Sequence, residues 1–205
     1  MNESENIVDK EVVEEKLEPT MGLDYLVEVT DKDGKVLQSF SAPSHSFVRQ
    51  WYDLMSGFFD WESRMIMDTG GVNRNCAPHA VGWRAYAPAA ETRYGHRVGK
   101  GTTAVTISDY ALESPIEEGA GLDELEHGAV SCGVPAVVGS TCSFWIRRSM
   151  LNSSGSTITG ITEIGIYTNS GSAYFMLGVR DVLPSAVYVP NGGAITVTYT
   201  FKVTV

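Results

Sequence analysis

The sequence predicts a mainly β protein, a β-sandwich or jelly-roll-like domain with one α-helix near the N-terminus and an extended N-terminal arm. Three observations favour this fold class. Hydrophobic residues make up 43% of the 205 residues and 21 residues are glycine, a composition typical of a turn-rich β domain with a substantial core. Apolar and polar residues alternate through several segments, as they do in half-buried strands. Clusters of Gly, Ser and Asn separate these segments, as expected of turns.

Residues 1–20 form an acidic segment with few apolar side chains, among them Ile7, Val12 and Leu17. This composition is typical of a solvated tail, although the apolar residues also suit an arm that lies on a neighbouring subunit. We expect the arm, and we treat residues 21–205 as a single mainly β domain. The N-terminus has no basic region followed by a long apolar core, so we expect no signal peptide.

The domain begins with a predicted hairpin and a predicted helix. In residues 23–40, LDYLVEVTDKDGKVLQSF, two alternating segments flank the turn sequence DKDG. Large apolar residues then recur at helical spacing at Phe47, Trp51, Leu54 and Phe58. This spacing predicts a helix whose aromatic face belongs to the core, with Ser44 or Ser46 as its N-cap.

Residues 68–100 follow no regular period and mix Gly, Pro and Ala with arginines. A long irregular excursion in a compact domain is usually functional or bound to a partner. For a protein without an active site, that partner is another subunit. The predicted inter-subunit contacts are Ile7, Val12, Leu17, Arg84, Arg93 and Arg97.

From residue 101 onward the pattern is β. The predicted strands lie in TTAVTI, GAVSCGVPAVVG, STCSFWIRRSM, TITGITEIGIY, AYFMLGVRDV and GGAITVTYTFKVTV, with a long acidic connection after the first. The final segment has the most regular alternation, since one face carries Ile195, Val197, Tyr199, Phe201, Val203 and Val205. Its other face carries mainly threonine.

Charge and composition exclude several classes of function. The formal net charge is −10 and no basic stripe is present, so we expect no nucleic-acid partner. Three cysteines without a CxxC spacing indicate a reducing compartment rather than a disulfide framework. The four histidines have no metal-ligand spacing, so we expect no metal and no cofactor. No apolar run approaches the length of a membrane span.

A single carboxylate, Glu163, lies in the apolar run GITEIGIY. On a strand it shares a face with Gly165, whose missing side chain leaves room for another group. A buried carboxylate needs a basic or main-chain partner. We predict that Glu163 pairs with Arg180 or another nearby arginine, and that Glu163, Gly165 and Arg180 fix the strand register. A glycosidase-like site would need a second carboxylate close by.

The first alternative is an aspartic protease. The triplet DTG at residues 68–70 resembles the active-site signature of these enzymes, and in the dimeric viral forms each chain supplies one aspartate. The resemblance implies that Asp68 acts in a dimer. The later segment 175–183 departs from the family pattern because Val179 is inserted between Gly178 and Arg180.

The second alternative is a carbohydrate-binding sandwich that recognises a host. Trp83, Tyr86 and Tyr94 supply aromatic rings of the kind that stack on sugars. This hypothesis requires the three rings to be exposed.

Two parts of the sequence resemble structural proteins of tailed bacteriophages: GKGTTAVTISDYALESPI, and ITEIGIY followed by LGVRDVLPSAVYVPNGGAITVTYTFKVTV. In those proteins a Thr-Glu-apolar-Gly-apolar strand precedes an R-D-V…V-P-x-G step and a Thr-rich final strand. The resemblance covers roughly the last hundred residues. It implies a non-enzymatic virion component of the tail, the tail-attachment region or the capsid decoration. Such a protein is made in the bacterial cytoplasm and assembles with itself and with other virion proteins.

Overall fold

The computed structural model describes residues 20–44, 46–77, 84–170 and 174–205. The predicted fold class is confirmed: the protein is mainly β, with one α-helix near the N-terminus and antiparallel sheets. Residues 1–19 of the predicted arm lie outside the described residues. Ile7, Val12 and Leu17 belong to that segment.

The elements follow one another along the chain as twelve strands and one helix within the described residues. Their bounds are β1 Thr20–Thr30, β2 Val36–Ser44, α1 Arg49–Asp60, β3 Arg64–Met67, β4 Asn73–Cys76, β5 Gly95–Gly99, β6 Glu126–His127, β7 Ser131–Cys132, β8 Ala136–Val138, β9 Thr141–Leu151, β10 Ile158–Asn169, β11 Phe175–Val189 and β12 Ala194–Thr204.

The larger sheet is built on four long strands in the order β2-β1-β12-β9. The short strands β6, β7 and β8 pair with successive stretches of β9 and complete seven strands among the described residues. The predicted hairpin of β1 and β2 is confirmed, and β12 pairs with β1 along the whole of both strands. Strand β12 is central, since one of its edges pairs with β1 and the other with β9.

The smaller sheet has the order β11-β10-β5, and β3 and β4 form a separate hairpin. One apolar core joins the two larger sheets. Tyr25 and Val197 of the larger sheet lie in the same buried cluster as Ile164 and Val179 of the smaller one. This shared core makes the domain β-sandwich-like.

Three local predictions are wrong. Helix α1 begins at Arg49 without a side-chain cap, because Val48 occupies the N-cap position. The expected caps Ser44 and Ser46 lie before it and donate to Asp181. The segment 68–100 is less irregular than predicted, since it contains β4 and β5. The segment 102–107 is not a strand. Its first two amide groups donate to the carboxylate of Glu113, which replaces the partners that a neighbouring strand would supply.

Candidate functional site

Glu163 lies on β10 and is fully buried. Its carboxylate accepts four hydrogen bonds. Oε1 accepts from the amides of Gly101, at 3.0 Å, and Ser114, at 2.7 Å. Oε2 accepts from the amide of Glu113, at 3.0 Å, and from Nε of Arg180, at 2.9 Å. A carboxylate offers about four acceptor positions, so donors of this chain occupy them all. Glu163 therefore has no position left for a substrate proton or a metal ion.

Glycines make room for this carboxylate. A Cβ added to Gly99 or Gly101 would lie 2.5 or 2.6 Å from Oε1 of Glu163. A Cβ added to Gly165 would lie 2.7 Å from the carbonyl oxygen of Val179. These separations are far below ordinary contact distances, so each position accepts only glycine without a shift of its neighbours.

Arg180 is the basic centre of the site and is 2% exposed. Besides Glu163, it contacts Asp109 through Nη1, at 2.8 Å, and Glu113 through Nη2, at 3.6 Å. Burial acts to lower the pKa of Arg180, but its hydrogen bonds to Asp109 and Glu163 outweigh burial and raise that pKa. We call these four residues, Glu163, Arg180, Asp109 and Glu113, the Glu163 cluster. The expected contact between Glu163 and Arg180 is thus present.

The Glu163 cluster fastens the long connection that follows β5. Burial acts to raise the pKa of Asp109, but hydrogen bonds from Thr106 and Arg180 outweigh it and lower that pKa. The amides of Thr102 and Thr103 donate to Glu113. Three carboxylates around one guanidinium therefore hold residues 100–116 against the smaller sheet. Glu163 and Arg180, at the centre of the cluster, are buried from solvent.

Asp181, next in sequence to Arg180, binds on the side of the strand that faces the larger sheet. Its carboxylate accepts from the hydroxyls of Ser44, Ser46 and Tyr199, at 2.8, 2.7 and 2.8 Å. Burial, followed by the charge of Asp181, raises the pKa of Tyr199 well above its usual value. Asp181 therefore links β11 to β12 and to the connection between β2 and α1.

A second buried guanidinium, that of Arg148 on β9, is 1% exposed. It donates to main-chain carbonyls, with distances of 2.7 Å to Gly128, 3.1 Å to His96 and 2.7 Å to Glu91. Burial, followed by a neighbouring positive charge, lowers the pKa of Arg148 to about 10. This side chain ties strand β5 and the loops at Glu91 and Gly128 to β9.

Two histidines lie beside Arg148. Burial, followed by the charge of Arg148, lowers the pKa of His96 to about 3. The same two causes, in that order, lower the pKa of His127 to about 4. Nδ1 of His127 lies 2.8 Å from Oε2 of Glu118 and 2.9 Å from the carbonyl oxygen of Leu125. Both rings are neutral in the folded protein at neutral pH, so neither is poised for proton transfer there.

The three arginines predicted to contact other subunits lie in different environments. Arg84 is exposed and lies over the ring of Tyr94, and Arg93 is exposed and pairs with Glu91. Arg97 is buried and donates to the carbonyls of Thr92 and Ile116, so its contacts lie within this chain. The structure therefore brings none of these three into the Glu163 cluster.

Asp68, the residue of the protease hypothesis, is 8% exposed and closes the turn between β3 and β4. It accepts from the amides of Gly70 and Val72 and from Nε of Arg74, at 3.0, 2.9 and 2.7 Å. Burial acts to raise the pKa of Asp68, but these hydrogen bonds outweigh it and lower that pKa. The carboxylate therefore has the environment of a turn-forming residue.

The rings of the carbohydrate hypothesis do not form one platform in the described structure. Tyr86 is exposed, whereas Tyr94 is buried and stacks on Phe175 with ring centres 6.1 Å apart. Trp83 lies outside the described residues.

The sequence did not reveal a strip of apolar side chains at one end of the larger sheet. Met21, Val203, Cys142 and Val137 stand opposite one another across β1, β12, β9 and β8. Directly paired residues point to the same side of a sheet. In β12 this side is the inner face, which also carries Tyr199. The strip therefore extends the apolar inner face past the point where other elements bury it. We call these four residues the uncovered row. Met21 and Val137 are 71% and 72% exposed.

Comparison of the chain with protein-family models, curated proteins and solved structures finds no significant match. Across the described ranges, no helix is both long and apolar enough to cross a membrane. The same part of the chain holds no group of three His, Cys, Asp or Glu side chains placed to bind a metal ion.

Proposed function

We propose that the protein is a non-enzymatic structural component that assembles with copies of itself and with other proteins of a tailed phage particle. The observation that carries the proposal is the uncovered row. An inner sheet face that runs beyond its cover leaves apolar side chains in water, and contiguous exposed apolar surface is typical of protein–protein contact sites.

The environment of the buried charges supports a structural role. Donors of this chain occupy all four acceptor positions of Glu163, whereas a catalytic carboxylate needs a position open to substrate. Asp68 accepts three hydrogen bonds, from two amides of its own turn and from Arg74. Carboxylates that accept several hydrogen bonds from their own chain fix loops and turns in place. A rigid frame with fastened loops suits a part that repeats in an assembly.

The phage assignment is supported by the resemblance of the last hundred residues to virion structural proteins. The tail, the tail-attachment region and the capsid decoration are the positions that this resemblance favours, and the virion is the corresponding location. Mass spectrometry of density-purified particles, from a host strain that carries the gene, tests this assignment. Recovery of the protein in stoichiometric amounts is expected, and its absence from intact particles would contradict the assignment.

Self-assembly is tested by light scattering behind a sizing column. One chain has a mass of 22.2 kDa, and we expect the purified protein to elute as a defined multimer of that mass. If the protein elutes as a single chain at every concentration of a dilution series, self-assembly is contradicted.

A further inference from the structure

An apolar groove borders the uncovered row, between the inner face of the larger sheet and helix α1. Its volume is about 300 Å³. The lining residues are Met21, Gly22, Phe47, Trp51, Met55, Pro135, Cys142, Ser143, Phe144, Phe201, Lys202 and Val203. We refer to this feature as the end groove.

The walls of the end groove are preformed. Phe144 stacks on Phe201 with ring centres 4.8 Å apart, and Phe201 stacks on Trp51 at 5.6 Å. Phe47 packs on Trp51 at 4.8 Å. Such a fixed aromatic floor loses little conformational entropy when it binds an apolar side chain.

We propose that residues 1–19 of a neighbouring copy fill the end groove, an inference that rests on the proposed self-assembly. The segment of 19 residues joins the described chain at Thr20, directly before Met21 of the uncovered row. Its apolar side chains, Ile7, Val12 and Leu17 among them, are of the type that the groove accepts. The segment also has seven acidic and two basic residues, but Lys202 at the groove already pairs with Asp24, so the apolar side chains carry the fit.

The position of Thr20 favours a neighbour's segment over the chain's own. Thr20, Met21 and Gly22 are already paired with β12, so a segment that returned to its own groove would have to reverse direction within Glu18 and Pro19. A segment from a second copy needs no reversal. This contact joins unlike surfaces, so it repeats from copy to copy and gives a ring if the rotation closes or a filament if it does not.

The first test compares the masses of three full-length proteins by light scattering. Val203→Glu places a charge in the end groove at a side chain that is already 40% exposed. Val36→Glu is the matched control, because Val36 is 49% exposed and pairs with Thr30 at the opposite end of β1. We expect a multimer for the unaltered protein and for Val36→Glu, and a single chain for Val203→Glu.

The outcomes separate the two proposals. If the unaltered protein is a single chain, self-assembly itself fails. If Val203→Glu and the unaltered protein form the same multimer, self-assembly stands and the end groove is not its contact.

The second test identifies the occupant of the groove. Cys142 lines the groove, so Leu17→Cys or Val12→Cys, each combined with Cys132→Ser to remove an exposed competing thiol, offers it a disulfide partner. Mild oxidation is expected to give covalent dimers and longer ladders on a non-reducing gel, and these should disappear when Cys142→Ser is added. A disulfide formed within single chains would show that the segment covers its own groove. No disulfide from either position would show that the segment lies elsewhere, and both of these results overturn the proposal.

Discussion

Replacement of the central carboxylate, Glu163→Gln, tests whether the Glu163 cluster stabilises the fold. The amide keeps the shape of the carboxylate, but its NH₂ group must replace one acceptor oxygen. If it replaces Oε1, it faces the amides of Gly101 and Ser114, and if it replaces Oε2, it faces Glu113 and Arg180. In either case two buried donors lose their acceptor. Asp109 still pairs with Arg180, so the cost is that of the unsatisfied donors, about 1–3 kcal/mol for each.

The free energy of unfolding is measured by urea denaturation at pH 7. We expect the midpoint to fall while the slope with denaturant stays unchanged, as for a pure loss of stability. Glu62→Gln is the matched control at an exposed position, where a change within about 0.5 kcal/mol is expected. A loss of less than about 1 kcal/mol for Glu163→Gln would refute the reasoning.

A double-mutant cycle with Arg180→Gln isolates the contact itself. Because Glu163 and Arg180 share a buried hydrogen bond, the two single losses should sum to more than the loss in the double variant, by about 0.5–3 kcal/mol. Additive losses would show that the pair makes no coupled contribution.

Three further predictions concern the loop, the histidines and the turn. Gly101→Ala should lower the thermal unfolding midpoint by several degrees, because its Cβ would lie 2.6 Å from the carboxylate of Glu163; an unchanged midpoint would contradict the close contact. The pKa values of about 3 for His96 and about 4 for His127 lie below the unfolded value near 6.5, so the unfolded state binds protons first. The free energy of unfolding should have its full value above pH 6.5 and should fall below that pH, by about 1 kcal/mol per pH unit for each ring. Urea midpoints that match at pH 7.5 and pH 5 would exclude this effect. Asp68→Asn should lower the free energy of unfolding by about 1–3 kcal/mol, because the turn loses the charge that accepts its hydrogen bonds. A peptide-cleavage activity that this variant abolishes would instead support the protease hypothesis.

The sequence predicted those features that depend on local period and on elementary rules of burial. The hairpin of β1 and β2, the helix that carries Trp51 and Leu54 and the alternation of β12 all follow from short-range spacing, and the structure contains each of them. Phe47, which shares the helical spacing, lies before the helix and bridges to Val179. A buried carboxylate requires a partner, which was enough to predict that Glu163 contacts Arg180 or another nearby arginine, and the structure shows Arg180.

Other features depend on residues that are far apart in the chain. The amides of Gly101 and Ser114 bind a carboxylate about fifty to sixty positions away, and no local pattern indicates such partners. The predicted strand at 102–107 failed for the same reason, since Glu113 supplies its acceptors.

The uncovered row shows this limit most clearly. Alternation in β12 indicates that Tyr199 and Val203 face the same side, but it carries no information on where the opposite layer ends. Tyr199 is fully buried and Val203 is 40% exposed, although both belong to one continuous pattern. The sequence by itself determined which face of each strand is apolar, because side-chain direction has a period of two residues. Only the tertiary structure decided how much of that face is covered, because cover depends on the lengths and positions of elements that are distant in the chain.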